Sequence, residues 1–118
     1  MAEIAPFRLP DSPGRSDLVA RYFRALGDPT RLRVLGLLRA EGELSAGALT
    51  RRLGQAQPKV SNHLACLRWC GFVTTRREHR VVFYRLADQR VTAILDLAQS
   101  LLDDNAGHVA AGCRIREA

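Results

Sequence analysis

Apolar residues recur along this chain at helical spacing in five places and at strand spacing in one. Leu18, Val19, Tyr22, Phe23 and Leu26 define a first helix that begins near Ser16/Asp17 and stops at Gly27. Asp28-Pro29 then reads as a start signal, because Asp can cap a helix and Pro suits its first turn. Leu32, Leu35 and Leu38 line one face of the second helix, which Gly42 ends. Ser45 caps a short third helix carrying Ala48, Leu49 and Leu53, closed by Gly54. After the turn Gln55-Ala56-Gln57, a fourth helix is expected from about Pro58 to Cys70, with Val60, Leu64 and Leu67 as its apolar stripe.

From Phe72 to Leu86 the pattern changes to Val, Thr, Phe and Tyr around a charged centre, Arg76-Arg77-Glu78-His79-Arg80. That is the signature of a β-hairpin with a basic tip. A last helix is expected over about Gln89 to Asp103, with Val91, Ile94, Leu95, Ala98, Leu101 and Leu102 as its apolar positions. Gly107 and Gly112 suggest a loose tail that carries Cys113. The expected organisation is therefore a flexible N-terminal tail over 1–15, one domain over 16–104 and a C-terminal tail over 105–118. Two short helices, a tight turn and a polar second helix, followed by a hairpin, predict an α+β, mostly α fold: a winged helix-turn-helix with about five helices and a two-stranded wing.

Composition narrows the function. The chain has 118 residues, 47% of them hydrophobic, which suits one domain with a modest core. Its net charge of +6 and pI near 10.2 favour polyanionic partners. No apolar run approaches the ~18–20 residues that span a membrane. Residues 1–16 contain no apolar core of a secretory signal, so the cytoplasm is the expected compartment. Three cysteines, an odd number, read there as free thiols, metal ligands or redox sensors, not as a disulfide framework.

The start of the fourth helix presents Gln57, Lys59, Ser61, Asn62 and His63, residue types that meet base edges and phosphates in a major groove. Arg76, Arg77 and Arg80 of the hairpin would lie along the backbone or in a neighbouring minor groove. A basic hairpin alone can be an ordinary solvated face. Joined to a helix-turn-helix pattern and a basic excess, it points to double-stranded DNA. No acid/base partner set accompanies the cysteines, so an enzyme is not expected.

Three segments carry a family resemblance. Ala25-Leu26-Gly27-Asp28-Pro29-Thr30-Arg31-Leu32-Arg33 resembles the entry motif of the ArsR/SmtB family of metal-sensing repressors. Val60-Ser61-Asn62-His63-Leu64-Ala65-Cys66-Leu67 is similar to its recognition helix, and Arg80-Val81-Val82-Phe83-Tyr84-Arg85-Leu86 to the second strand of its wing. The resemblance covers about residues 17–104. It implies a homodimer built through the first and last helices and bound to a palindromic operator.

The resemblance does not name the ligand. The Cys-x-Cys pair that opens the third helix in one subgroup is absent from Leu44-Ser45-Ala46-Gly47. The Asp/His site along the last helix in another retains Asp88, but its partner positions look like Arg90 and Leu101, which cannot ligate. What remains is Cys66, Cys70 and Cys113. Cys66 and Cys70 are four apart, so they are neighbours on one helix face with Cβ atoms about 6 Å apart. They fall roughly 90–130° from the centre of the apolar stripe. Two such thiolates can close on one soft metal ion, and either thiol can equally fill space.

The stretch Asn62 to Gly71 resembles the CmtR-like, cadmium/lead-sensing members, and mercury-responsive members carry similar cysteines. That subgroup takes a third cysteine from the C-terminal tail, across the dimer, and Cys113 occupies a comparable place. The implied effector is Hg(II), Cd(II) or Pb(II), with Zn(II) a poorer match. His63 and His108 stay open as further ligands. The alternative is a thiol redox switch on the same fold.

Overall fold

The computed structural model describes residues 14–117, with side chains over 14–111. It contains α1 (Arg15–Leu26), α2 (Pro29–Glu41), β1 (Leu44–Ser45), α3 (Ala46–Leu53), α4 (Gln57–Trp69), β2 (Val73–Glu78), β3 (Val81–Leu86) and α5 (Gln89–Glu117). The chain divides into two compact units, one ending at Ala87 and one beginning at Asp88.

In the first unit the expected caps are in place. Asp28 Oδ1 accepts from the backbone N–H groups of Thr30 (2.8 Å) and Arg31 (3.1 Å), satisfying two donors that the first turn of α2 leaves free. Ser45 Oγ does the same for Ala48 N at 3.0 Å. Val34, Leu35 and Leu38 of α2, Leu49 of α3, and Val60, Leu64 and Leu67 of α4 are buried together with Phe72 and Val73. Leu32, expected on the core face, is partly exposed, and Val34 takes the inner position. Tyr22 of α1 meets Phe72 edge-on, with ring centroids 5.5 Å apart.

The end of α4 has a specific chemistry. Gly71 adopts φ +82, its N–H bonds to Arg68 O at 3.0 Å, and Phe72 N–H bonds to Leu67 O at 2.9 Å. This paired closure needs a residue in the left-handed region, which glycine enters at little cost. It turns the chain sharply and delivers Phe72 to the core.

The wing differs from expectation in one respect. Its sheet has three strands, in the order β1-β3-β2, all antiparallel. Leu44 and Ser45 pair with Tyr84 and Phe83. A two-residue strand has no periodicity to read, so the hairpin alone was legible. At the tip, Glu78 pairs with Val81 and His79 takes φ 59.

The second unit also departs from expectation. Its helix does not end near Asp103 but continues to Glu117, through Gly107 and Gly112. Glycine within a helix costs roughly 1 kcal/mol relative to alanine, which lowers stability without forcing a stop. Asp88 caps this helix, its Oδ1 accepting from Arg90 N at 2.7 Å. Ile94, Leu97, Leu101, Leu102 and Val109 are exposed along it. No described helix is long and apolar enough to cross a membrane.

Candidate nucleic-acid interface and thiol pair

The helix-turn-helix consists of α3, the turn at Gly54–Ala56 and α4. Burial of Val60, Leu64 and Leu67 against α2 and α3 fixes which face of α4 is left outside. Gln57, Lys59, Ser61 and Asn62 lie exposed on its first turns, as the sequence predicts. Ser61 continues into a shallow groove between α4 and the wing, of about 400 Å³, which Arg68, Trp69 and Tyr84 also line.

His63 is not with them. It is 9% exposed and turned inward, where its Nδ1 accepts from Arg31 Nε at 3.0 Å. Asp28 Oδ1 lies 4.0 Å from the same nitrogen. Arg31 also reaches the carbonyl of Ala25, at 3.4 Å, at the end of α1. The groove-facing reading of His63 is therefore corrected. The helical period brings position 63 beside the Val60/Leu64/Leu67 stripe, and Arg31 supplies the partner that a buried imidazole needs.

The three arginines at the centre of the hairpin, Arg76, Arg77 and Arg80, differ from one another. Arg76 is committed: its Nε and Nη2 each lie 2.9 Å from a Glu43 carboxylate oxygen, and its Nη1 lies 3.1 Å from Glu78. Its guanidinium also stacks 4.5 Å from the Phe83 ring centroid. The Arg76 guanidinium, through its hydrogen bond, holds the Glu43 carboxyl below the usual range. Arg77 and Arg80 are exposed and form no ion pair among the described residues. Nothing in the sequence signals a partner for Arg76 that stands 33 positions away.

The second half of α4 and its C-cap carry Cys66 and Cys70, both half-buried free thiols one helical turn apart. Cys70 occupies the C-cap, with its N–H on Cys66 O at 3.0 Å. Burial pushes the Cys70 thiol above its ordinary range, and the neighbouring Cys66 adds to this, while the charge of Arg31 opposes it. Two soft donors one helical turn apart suit a thiophilic ion. No three His, Cys, Asp or Glu side chains converge on a metal position among the described residues. The expected third ligand, Cys113, lies outside the residues whose side chains are described. His108 is exposed on α5.

Residues 28–75 match the family of bacterial regulatory proteins of the arsR type. A probable mercury resistance operon repressor of Streptomyces lividans is 43% identical over 90 residues, 76% of this chain and 71% of the relative. This chain belongs to the ArsR family. A second relative, the HTH-type transcriptional regulator CmtR of Mycobacterium tuberculosis, is 45% identical over 89 residues, 75% of each chain. Among solved structures, the homodimeric winged helix-turn-helix DNA-binding domain Mb0332 of Mycobacterium bovis superposes with a TM-score of 0.70 at 33% identity, covering 80% of this chain and 90% of that one. This ArsR-family chain is thus a winged helix-turn-helix transcriptional regulator that binds DNA, and not an enzyme.

Proposed function

We propose that this regulator is a cytoplasmic, dimeric repressor that leaves its operator when Cys66 and Cys70, with Cys113 as third thiolate, take up Cd(II), Pb(II) or Hg(II). The observation that carries this reading is the pair of half-buried thiols one turn apart on α4, the helix that also exposes Gln57, Lys59, Ser61 and Asn62. Drawing thiolates together on one face of a reading helix changes its angle or stiffness. Two such heads in a dimer must fit successive major grooves, so a small change at each is felt twice. Relatives named for mercury resistance and as CmtR support a metal effector. The exposed apolar residues of α1 (Leu18, Tyr22, Phe23) and those of α5 each offer surface to a second copy, and the similar Mb0332 domain is homodimeric.

Operator binding followed by fluorescence anisotropy under reducing conditions tests this, with Cd(II), Pb(II), Hg(II) and Zn(II) added in turn. One soft ion is expected to release the DNA from the native chain and not from Cys66→Ser. Linkage adds a second requirement: operator DNA must weaken metal binding by the same factor, typically ~1–3 kcal/mol. Equal metal affinity with and without DNA would sink the mechanism. The free thiols also admit a redox switch, in which an oxidant and no metal releases the DNA. Peroxide in place of metal, in the same assay, separates the two.

A further inference from the structure

The groove between α4 and the wing has a chemical bias. Its apolar lining comes from Ala46, Leu64 and Ala65, and its polar side chains are Ser61, Arg68, Trp69 and Tyr84. Each of those four can donate a hydrogen bond, and no carboxylate lines the groove. Arg68 is exposed and forms no ion pair among the described residues, unlike Arg76 and Arg52, whose charges are answered by glutamates. A groove rimmed by donors and one unanswered cation selects an anion. It is continuous with the reading face of α4, since Ser61 belongs to both.

We infer that this groove seats the DNA sugar-phosphate backbone next to the bases that α4 reads, with Arg68 and the Tyr84 hydroxyl as phosphate donors. The inference rests on α4 being the reading helix. Backbone contacts set register and orientation and carry no sequence information, so Arg68 and Tyr84 contribute equally on any duplex. Trp69, exposed at the outer end of the groove, flanks the same strand. The width of the interface is then set by the full length of α4 and not by its first two turns alone.

The test compares full-length protein on an operator duplex selected from a random-sequence library and on an unrelated mixed-sequence duplex, each across a salt series. Arg68→Ala is expected to weaken both complexes by the same factor and to lower the salt exponent by about 0.9, the value of one phosphate contact. Arg68→Lys should restore the exponent, and Tyr84→Phe should weaken both complexes with the exponent unchanged. An unaltered exponent in Arg68→Ala, with an unaltered thermal midpoint, overturns the assignment. So does saturable binding of inorganic phosphate by calorimetry, which would mark a site for a free anion. Asn62→Ala is the separate control: it should reduce only the operator complex. If it does not, the reading role of α4 has failed, whatever Arg68 does.

Discussion

Arg31 on α2 donates from Nε to Nδ1 of His63 on α4, across 3.0 Å. The bond ties α4 to the start of α2 and, through the Ala25 carbonyl, to the end of α1. His63→Leu is expected to strand the Arg31 donor and cost about 1–3 kcal/mol of stability. The double variant with Arg31→Leu should cost less than the sum of the singles. Chemical denaturation measures both. Because His63 faces inward, the salt exponent for DNA should not change.

The wing arginines supply a second expectation. Arg77→Ala or Arg80→Ala should each lower the salt exponent of DNA binding, by up to about 0.9. Arg76→Ala should leave it nearly unchanged, since Glu43 and Glu78 already answer that charge. Its effect should appear as a less stable hairpin in thermal melts. A salt series on all three variants decides the matter.

The capping carboxylate of Asp28 links stability to acid. Desolvation pushes the carboxyl up, but the N–H groups of Arg31 and Thr30 and the nearby Arg31 charge hold it below the usual 3.8. A depressed value in the folded state means the contribution is complete above the unfolded value and is lost as pH falls through the folded one. Asp28→Ala should therefore cost about 1 kcal/mol at neutral pH. The gap to the native protein should narrow below pH 3.8, as read from urea midpoints.

Metal uptake should carry its own pH signature. The Cys70 thiol is held up by burial and by Cys66, so it is protonated at neutral pH and must lose its proton to ligate. Affinity for Cd(II) should rise with pH below that thiol value, by up to about tenfold per unit for each proton released. Competition with a chelator at several pH values measures it. A flat profile would mean that Cys70 is not a ligand.

Gly71→Ala tests the turn after α4. A side chain at φ +82 meets no neighbouring atom, so the cost is conformational alone, about 1–2 kcal/mol. The thermal midpoint should fall accordingly, with DNA affinity of the folded protein preserved.

Most of the fold was legible in the sequence because its punctuation is local. Asp28-Pro29, Ser45, Gly54 and Gly71 act within four residues of where they stand, and the structure places each as read. The parts that escaped depend on distant partners. Glu43 and Arg76 meet only after the sheet forms, and Leu44-Ser45 becomes a strand only because β3 is there to receive it. His63 has the composition of a groove residue, and only the partner on α2 shows that it faces the other way. Beyond Leu102, glycines read as breaks are carried through, the Asn105 side chain even returning a hydrogen bond to Leu101 O at 2.9 Å. The side-chain types of the thiol pair and of the exposed start of α4 needed no tertiary knowledge.

Trp69 is the only tryptophan in the chain, is 89% exposed, and stands one residue before Cys70 and beside the α4–wing groove. The protein thus contains a single tryptophan fluorophore, next to the thiol pair and to the groove. Its emission should lie near that of indole in water and be quenched by iodide. A heavy ion bound at the adjacent thiols would dim it through spin–orbit coupling, and a duplex laid along the groove would shield it from iodide. Effector and operator occupancy can then be followed in one cuvette, without a dye.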